Sequence, residues 1–511
     1  MKTGFTFTLL AVLIMVSCSL PKKKKPGKLR EQVASLYDSP RRPFYHGIAS
    51  GDPLPDRVIL WTRVTPDDSV VSVLVKWEIA EDPGFASVYK SDTIRTTPAS
   101  DYTVKIDVDA LLPDRVYYYR FIALGMTSET GRTKTAPVGS KDSLQFAVVS
   151  CANWEFGYFN AYDKIADRPV LDAVLHLGDY LYEYGTGTYG DTTIGRKNIP
   201  SHEIVTLNDY RTRYSLYRLD KGLRRIHQQH PFIAIWDDHE IANDAHASGA
   251  QNHQPDSEGD YEDRKAAARK VYYEWMPIRE NNELYRSYSF GSMADVIMLD
   301  ERLAGRSPRI KNMKDSSYSS PDRSMLGSRQ LSWFKNSLKG STAIWKVIGN
   351  QVIFSDMHLK AALPQMPRNM DAWDGFPSEK KNIVDFIKAN NIQDIIITAG
   401  DTHASWAVEA AVDVSKTYKP FAVEFGTTSI SSANGDERNG ADTVKLGEQS
   451  ILKENPHIKY VNNRDHGYLL LTLYPLKAKA EWYYVKTLRQ PESDEFLART
   501  FFVEKGKPKL K

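Results

Sequence analysis

Four stretches of this chain end an apolar run in residues that bind metal ions. Residues 171–184 read Leu-Asp-Ala-Val-Leu-His-Leu-Gly-Asp-Tyr-Leu-Tyr-Glu-Tyr, where Ala173, Val174, Leu175 and Leu177 make a run of strand length that stops at Gly178 and delivers Asp179. Such a run fits a strand buried on both faces, as in parallel sheets, and the glycine fits a tight turn. The pattern recurs: residues 145–150 lead into Cys151, 232–236 into Asp237-Asp238-His239-Glu240, and 394–399 into Gly400-Asp401-Thr402-His403. Open α/β sheets bind ligands at the carboxyl ends of their strands. Carboxylates, imidazoles and a thiol converging there would build a multi-metal hydrolytic site. A single Gly-Asp after a strand is ordinary turn chemistry, because Asp tolerates such positions and caps the next helix. Four such ends, two of them carrying histidine, exceed what turns require.

The elements that must position these residues follow from the rest of the chain. Its 511 residues leave room for two or three domains, and 26% charged with 41% hydrophobic residues is the balance of an ordinary globular protein. The formal charge of +3, most of it from the lysines of residues 21–26, makes no case for nucleic acid as a partner. Met1-Lys2, an apolar core over residues 5–16 and Met15-Val16-Ser17-Cys18 read as a lipoprotein signal, with Cys18 lipidated as the first mature residue. No other stretch approaches the roughly 20 apolar residues of a membrane span. Cys151 is then the only thiol of an exported protein. An unpaired thiol outside the cytoplasm is an oxidation liability unless a metal ion binds it as thiolate.

The expected order is a signal over 1–18, a lysine-rich tether over 19–42, a small β-sandwich over 43–138 and a catalytic domain over 139–511. Alternating patterns at 57–64, 72–80, 101–108 and 115–124, separated by turns rich in Pro, Asp and Gly, predict the sandwich; Leu112-Pro113-Asp114 resembles the turn of fibronectin type III domains. After residue 140 strands alternate with helices. Helices are expected at 160–166, 207–229 and 264–276, a strand at 293–299 ending in Asp300-Glu301-Arg302, and mostly strands from 424 onward. A polar stretch without period, 243–262, reads as a rim or lid. The sum is an α/β protein with a four-layer α/β/β/α body.

With these residues in place the chain resembles the alkaline phosphatase D family of metallophosphoesterases, from about Tyr45 to Tyr474. The resemblance rests on Ser50-Gly51-Asp52-Pro53, Leu60-Trp61-Thr62-Arg63, Ser150-Cys151, His176 to Glu183, Trp236-Asp237-Asp238-His239-Glu240, Met325-Leu326-Gly327, Asp371 to Gly375, Gly400-Asp401-Thr402-His403 and His466-Gly467-Tyr468, all in family order. It implies a fibronectin III-like front sandwich, then a calcineurin-like phosphoesterase domain with Fe(III) and Ca(II), other divalent metals being compatible with the ligand types. By resemblance Cys151, Asp179, Tyr182 and His403 belong to the iron side, with Asp179 as the bridging catalytic carboxylate. Asp237, Asp238, Asn243 and Asp401 offer oxygen ligands suited to calcium, while Asp401 and the Asp237/Asp238 pair suit either metal. His239 contacts the substrate and protonates the leaving group. Arg302, Asn350, Asp374 and His466 are weaker candidates.

The expected function is hydrolysis of small phosphate esters at a bacterial cell envelope, with water activated by the metals, in the periplasm or at the membrane through the N-terminal lipid. The alternatives are phospholipase D-like action on phospholipid head groups, or a non-catalytic surface-binding lipoprotein. The chain departs from the family in lacking an Arg-Arg pair before the apolar core, so metal loading is expected after export.

Overall fold

The computed structural model describes residues 32–511 apart from 68, 69, 170, 412, 413, 415 and 416. The expected signal and the first part of the tether lie outside the described residues. Residues 37–41, also assigned to the tether, instead pack on the body: Tyr37 stacks on Tyr45 with ring centroids 4.2 Å apart, and Arg41 Nη1 reaches Glu129 at 2.5 Å.

The front of the chain forms strands β1 (Ile48–Leu54), β2 (Arg57–Arg63), β3 (Val73–Ala80), β4 (Val88–Thr96), β5 (Thr103–Val108), β6 (Val116–Ala123), β7 (Met126–Thr127) and β8 (Gly131–Lys134). In β6 the alternation is strict: Tyr117, Tyr119, Phe121 and Ala123 are buried while the residues between them are half-buried. These side chains meet Val58 and Leu60 of β2 in one apolar cluster, so the sheet of β3, β4, β6, β7 and β8 faces β1, β2 and β5. The second face is not self-contained. Gly51 of β1 pairs in parallel with Phe232 of the next body, which joins β1, β2 and β5 to a ten-stranded sheet.

That sheet takes in β9 (Leu144–Val149), β10 (Ala173–His176) and β11 (Phe232–Ala234), three neighbouring parallel strands. A seven-stranded sheet is built on β12 (Arg286–Phe290), β13 (Ala294–Met298), β14 (Trp345–Gly349), β15 (Ile395–Ala399), β16 (Ser405–Ala410), β17 (Ala422–Gly426) and β18 (Ile458–Asn462). The last strands, β19 (Gly467–Leu473), β20 (Lys477–Val485), β21 (Glu495–Glu504) and β22 (Lys507–Leu510), return to the ten-stranded sheet beside β9.

The pleat explains how the sheets stack, because successive side chains point to opposite faces. Trp345 and Val347 of β14 and Ile396 of β15 share a core with Val148, Leu175 and Ile233 of the first sheet. The alternate residues Ile348, Ile395 and Ile397 belong to a second core. There they meet Phe334 and Leu338 from the helix Gly327–Gly340 and Ile383, Val384 and Ile387 from the helix Pro377–Ala389. On the first sheet, Tyr162 and Ile165 from the helix Asn160–Ala166 and Leu223 and Ile226 from the helix Lys221–Gln229 join the core, Tyr162 Oη lying 2.9 Å from His176 Nε2. Each fully buried Leu or Ile contributes roughly 1.5–3 kcal/mol, and this apolar interior fixes where the strand ends lie.

Two helix expectations are corrected. The single helix over 207–229 is two, Leu207–Tyr217 and Lys221–Gln229, because Asp220 accepts from Leu223 N (3.1 Å) and starts a new helix. The tail holds the 14-residue helix Ala441–Glu454. The expected strand at 293–299 and helix at 160–166 stand at Ala294–Met298 and Asn160–Ala166.

Candidate metal centre

Strand ends of both sheets meet at one place. From the first sheet β9 delivers Cys151, β10 Asp179 and β11 Asp237, Asp238 and His239; from the second β13 delivers Arg302 and β15 Asp401 and His403. Cys151 (φ 62°), Asp179 (φ 54°), Asp401 (φ 60°) and His403 (φ 55°) all adopt left-handed backbone. This conformation costs a non-glycine residue roughly 1–3 kcal/mol and concentrates at functional sites.

The loops interlock closely. A Cβ on Gly178 (φ +101°) would lie 2.3 Å from Asp237 N, so only glycine lets the two ligand loops approach. Glu240 staples the same pair: one carboxylate accepts from Asp179 N (3.0 Å), Tyr180 N (2.6 Å) and Asp237 N (2.8 Å). Burial and the charge of Asp237 push that carboxyl up to about 8, against the pull of the backbone donors. Ser150 Oγ accepts from the Cys151 thiol (3.1 Å), and Ser150 pairs with Ser429, tying β9 to the loop after β17.

The donors fall into three overlapping groups whose ligand atoms lie within 4.8 Å of one another: Cys151, Asp179 and His403; Asp179, Asp238 and His239; and Asp237, Asp238 and Asp401. Asp179 is shared by the first two and Asp238 by the last two. Tyr182 Oη donates to Asp179 Oδ2 (3.0 Å) and lies 3.1 Å from His403 Nε2. The expected donors Cys151, Asp179, Tyr182, Asp237, Asp238, Asp401 and His403 are therefore brought together, with His239, expected at the substrate, among them.

These residues fit metal ions on two counts. Asp179 Oδ1 and Asp237 Oδ2 are buried without a hydrogen-bond partner, a costly state for a carboxylate unless a cation completes it, and Asp238 Oδ1 has no hydrogen bond, Arg302 Nη2 lying 3.5 Å away. The charges also crowd one another. Burial, then the neighbouring carboxylates, drive Asp179 and Asp401 well above the usual carboxylate range, partly opposed by His239 at Asp179 and by Arg302 at Asp401. Asp237 is pushed up to about 6 by burial and Asp238 against the pull of Arg302. Burial and Asp179 likewise raise the Cys151 thiol and the Tyr182 phenol. Bound cations would reverse each of these shifts. His403 is lowered to about 3 by burial and so stays neutral, as a ligand must be.

His239 is held differently. Its Nδ1 lies 2.7 Å from Glu183 Oε2, and its ring lies tilted by 34° against Tyr182 with centroids 4.2 Å apart. Burial disfavours its charge, but Asp238, Glu183 and Asp179 outweigh burial and raise its pKa well above the ordinary histidine value. Glu183 also accepts from Asn243 N (2.8 Å) and Asn252 Nδ2 (2.8 Å), which anchors the 243–262 stretch beside the site. The Glu183→Gln variant should lose about 10- to 100-fold in kcat, the usual cost of removing a carboxylate behind a site histidine. Steady-state kinetics on a chromogenic phosphate ester check this, and a change within threefold would remove Glu183 from the site.

The remaining candidates separate. The Asn243 amide Nδ2 donates to Gln251 Oε1 (2.9 Å), so its side chain is engaged by the rim while its backbone meets Glu183. Arg302, fully buried, bonds Asp237, Asp371 (2.8 Å) and Asp401 (3.3 Å) and lies 3.5 Å from Asp238. It binds the acidic cluster together. Asp374 is taken by Lys380 (3.0 Å) and Arg368 (3.3 Å), and His466 by Glu437 (2.9 Å) and Ser429 (2.9 Å). Asn350, just after β14, is buried with neither amide atom hydrogen-bonded. Sequence reasoning assigned no role to Glu183, Glu240 or Asp371; a lone acid between Tyr182 and Tyr184 was the available signal for the first.

Residues 146–482 match the family model of PhoD-like phosphatases, and residues 31–137 match that of the PhoD-like phosphatase N-terminal domain. Over 492 residues the chain is 37% identical to alkaline phosphatase D of Bacillus subtilis (strain 168), covering 92% of this chain and 82% of that protein. The solved structure of PhoD superposes with a TM-score of 0.82 at 35% identity, covering 92% of each chain.

Proposed function

This chain belongs to the PhoD-like phosphatase family, and we propose that it is a metal-dependent hydrolase of small phosphate mono- and diesters working at the cell envelope. The observation that carries the reading is the overlap of the donor groups, with Asp179 and Asp238 each shared between two of them. Shared carboxylates with unpartnered oxygens are how a protein holds two ions side by side.

Cys151, Asp179, Tyr182 and His403 would hold one ion; thiolate and phenolate donors suit Fe(III). Asp237, Asp238 and Asp401 would hold another, and an all-carboxylate set suits Ca(II). When bound, the ions neutralise the phosphate and supply an acidic water. The chain's own groups do the rest. Glu183 fixes His239 through Nδ1, which leaves Nε2 to hold a proton for the departing oxygen. Arg302 is saturated by carboxylates, so it orients ligands and leaves phosphate to the ions. The binding-lipoprotein alternative would leave this constellation without a purpose.

The test is elemental analysis of the purified protein together with turnover of p-nitrophenyl phosphate and its bis ester, before and after chelation and calcium add-back. Bound iron with calcium-dependent turnover is expected. Metal-free protein inert on both esters after metal is supplied would overturn the reading. For the envelope, Met15-Val16-Ser17-Cys18 motivates a lipid anchor at Cys18. Membrane fractionation should find the wild type in the detergent-soluble membrane fraction and the Cys18→Ala variant outside it; identical partitioning refutes the anchor. Among the described residues no helix is long and apolar enough to cross a membrane.

A further inference from the structure

A cavity of about 370 Å³ opens against the metal centre. At one end it is lined by Asp401 and Thr402, and beyond them by Ile353, Met357, Leu363, Met366, Trp406 and Val444. Its size falls in the range of small-molecule sites. Much of its wall is one apolar cluster of the second sheet, with Ile353, Met357 and Trp406 buried and Leu363 and Met366 packed against them. Some polar groups on the wall are already engaged. Trp406 Nε1 donates to Thr402 Oγ1 (2.9 Å), and the Glu448 carboxylate accepts from Asn463 N (2.7 Å) and Arg464 Nε (3.0 Å). Gln365, Asn369 and Thr443 add polar atoms, but most of the lining is apolar.

One further feature keeps the space open. Gly447 lies inside the helix Ala441–Glu454 and lines the cavity. A glycine within a helix costs about 1 kcal/mol relative to alanine. Neither its backbone nor its surroundings require it: a Cβ there would meet nothing nearer than Ala362 Cβ at 3.8 Å. What glycine preserves is room. The lining also offers Met357 and Met366, flexible thioethers that repack around an irregular apolar guest.

We propose that this cavity is a substrate subsite for an aliphatic arm of the phosphate ester, which makes esters carrying an alkyl chain the preferred substrates. The proposal rests on the hydrolase reading above and names the substrate class of the same site. A polar channel for bulk solvent would not be walled by methionine, leucine and tryptophan beside a carboxylate cluster.

The experiment measures kcat/KM for monomeric alkyl p-nitrophenyl phosphates from methyl to hexyl, below their critical micelle concentrations. In the wild type the value should rise by about two- to threefold per methylene, the order expected for partial burial of each group. In Gly447→Phe, whose ring fills the space, the hexyl-to-methyl ratio should collapse to below about threefold, and in Gly447→Ala the preference should persist. A wild type that hydrolyses the methyl ester with no dependence on chain length overturns the subsite while the hydrolase reading stands. Failure to hydrolyse any ester, metals supplied, overturns both. Should the phenylalanine variant misfold, inhibition of wild-type methyl ester turnover decides: hexylphosphonate must inhibit at least tenfold more tightly than methylphosphonate, and equal inhibition refutes the proposal.

Discussion

Asp179→Asn should lower kcat on p-nitrophenyl phosphate by about 10³-fold and release most of the bound metal. The carboxylate belongs to two donor groups at once, with Cys151 and His403 on one side and Asp238 and His239 on the other. Neutralising it removes a charge from both. Metal stabilisation of a phosphoryl transition state amounts to several kcal/mol, and about 4 kcal/mol corresponds to 10³-fold. The fold should survive, because asparagine is among the few residues that tolerate the left-handed backbone found at this position (φ 54°). Circular dichroism and elemental analysis separate this from unfolding. A variant that keeps its metals and turns over within threefold of wild type would end the case for a bridging role.

Arg302→Met should destabilise the metal-free protein by about 3–5 kcal/mol, the cost of breaking a buried ion pair from one side. The guanidinium bonds three buried or partly buried carboxylates and lies near a fourth. Methionine keeps much of the apolar stem but leaves Asp237 and Asp371 facing each other without it. The pH dependence has a definite sign. Burial disfavours the Asp371 carboxylate, yet Arg302 and Arg306 overcome this and hold its pKa well below the usual range. A depressed folded pKa contributes stability that is present above the unfolded value of about 3.9 and is lost as pH falls through the folded value. The deficit of the variant should thus be largest near neutral pH and shrink in acid. It should also narrow when metal is bound, since cations then neutralise the carboxylates that Arg302 had served. Denaturant midpoints of both proteins, with and without metal, measure this; equal midpoints in the metal-free state would show that Arg302 does not hold the cluster.

The ends of the strands, and the side chains that cluster beyond them, were legible along the chain. Apolar runs halted at Gly178, Cys151, Asp237 and Gly400, and β10, β9, β11 and β15 end one to three residues before them. Burial on both faces leaves such runs continuous, and turn chemistry marks their ends, so both signals are local. Mixed α/β architecture was legible for the same reason. Which donors meet was set by packing, because Cys151 and His403 lie 252 positions apart in the chain and come together through the stacking of two sheets. Packing also decided roles that depend on a partner. Glu183 is set against His239, and Arg302 against carboxylates contributed by three other loops. The alternating tyrosines divided in the same way: Tyr180 entered the core against His227 (3.0 Å), while Tyr182 joined the donor cluster beside Asp179 (3.0 Å). Even the front sandwich became the edge of the central sheet through one parallel pairing, Gly51 with Phe232. Pattern along the chain records burial and turns, whereas a site is a set of long-range distances, and those are set only when the apolar faces pack.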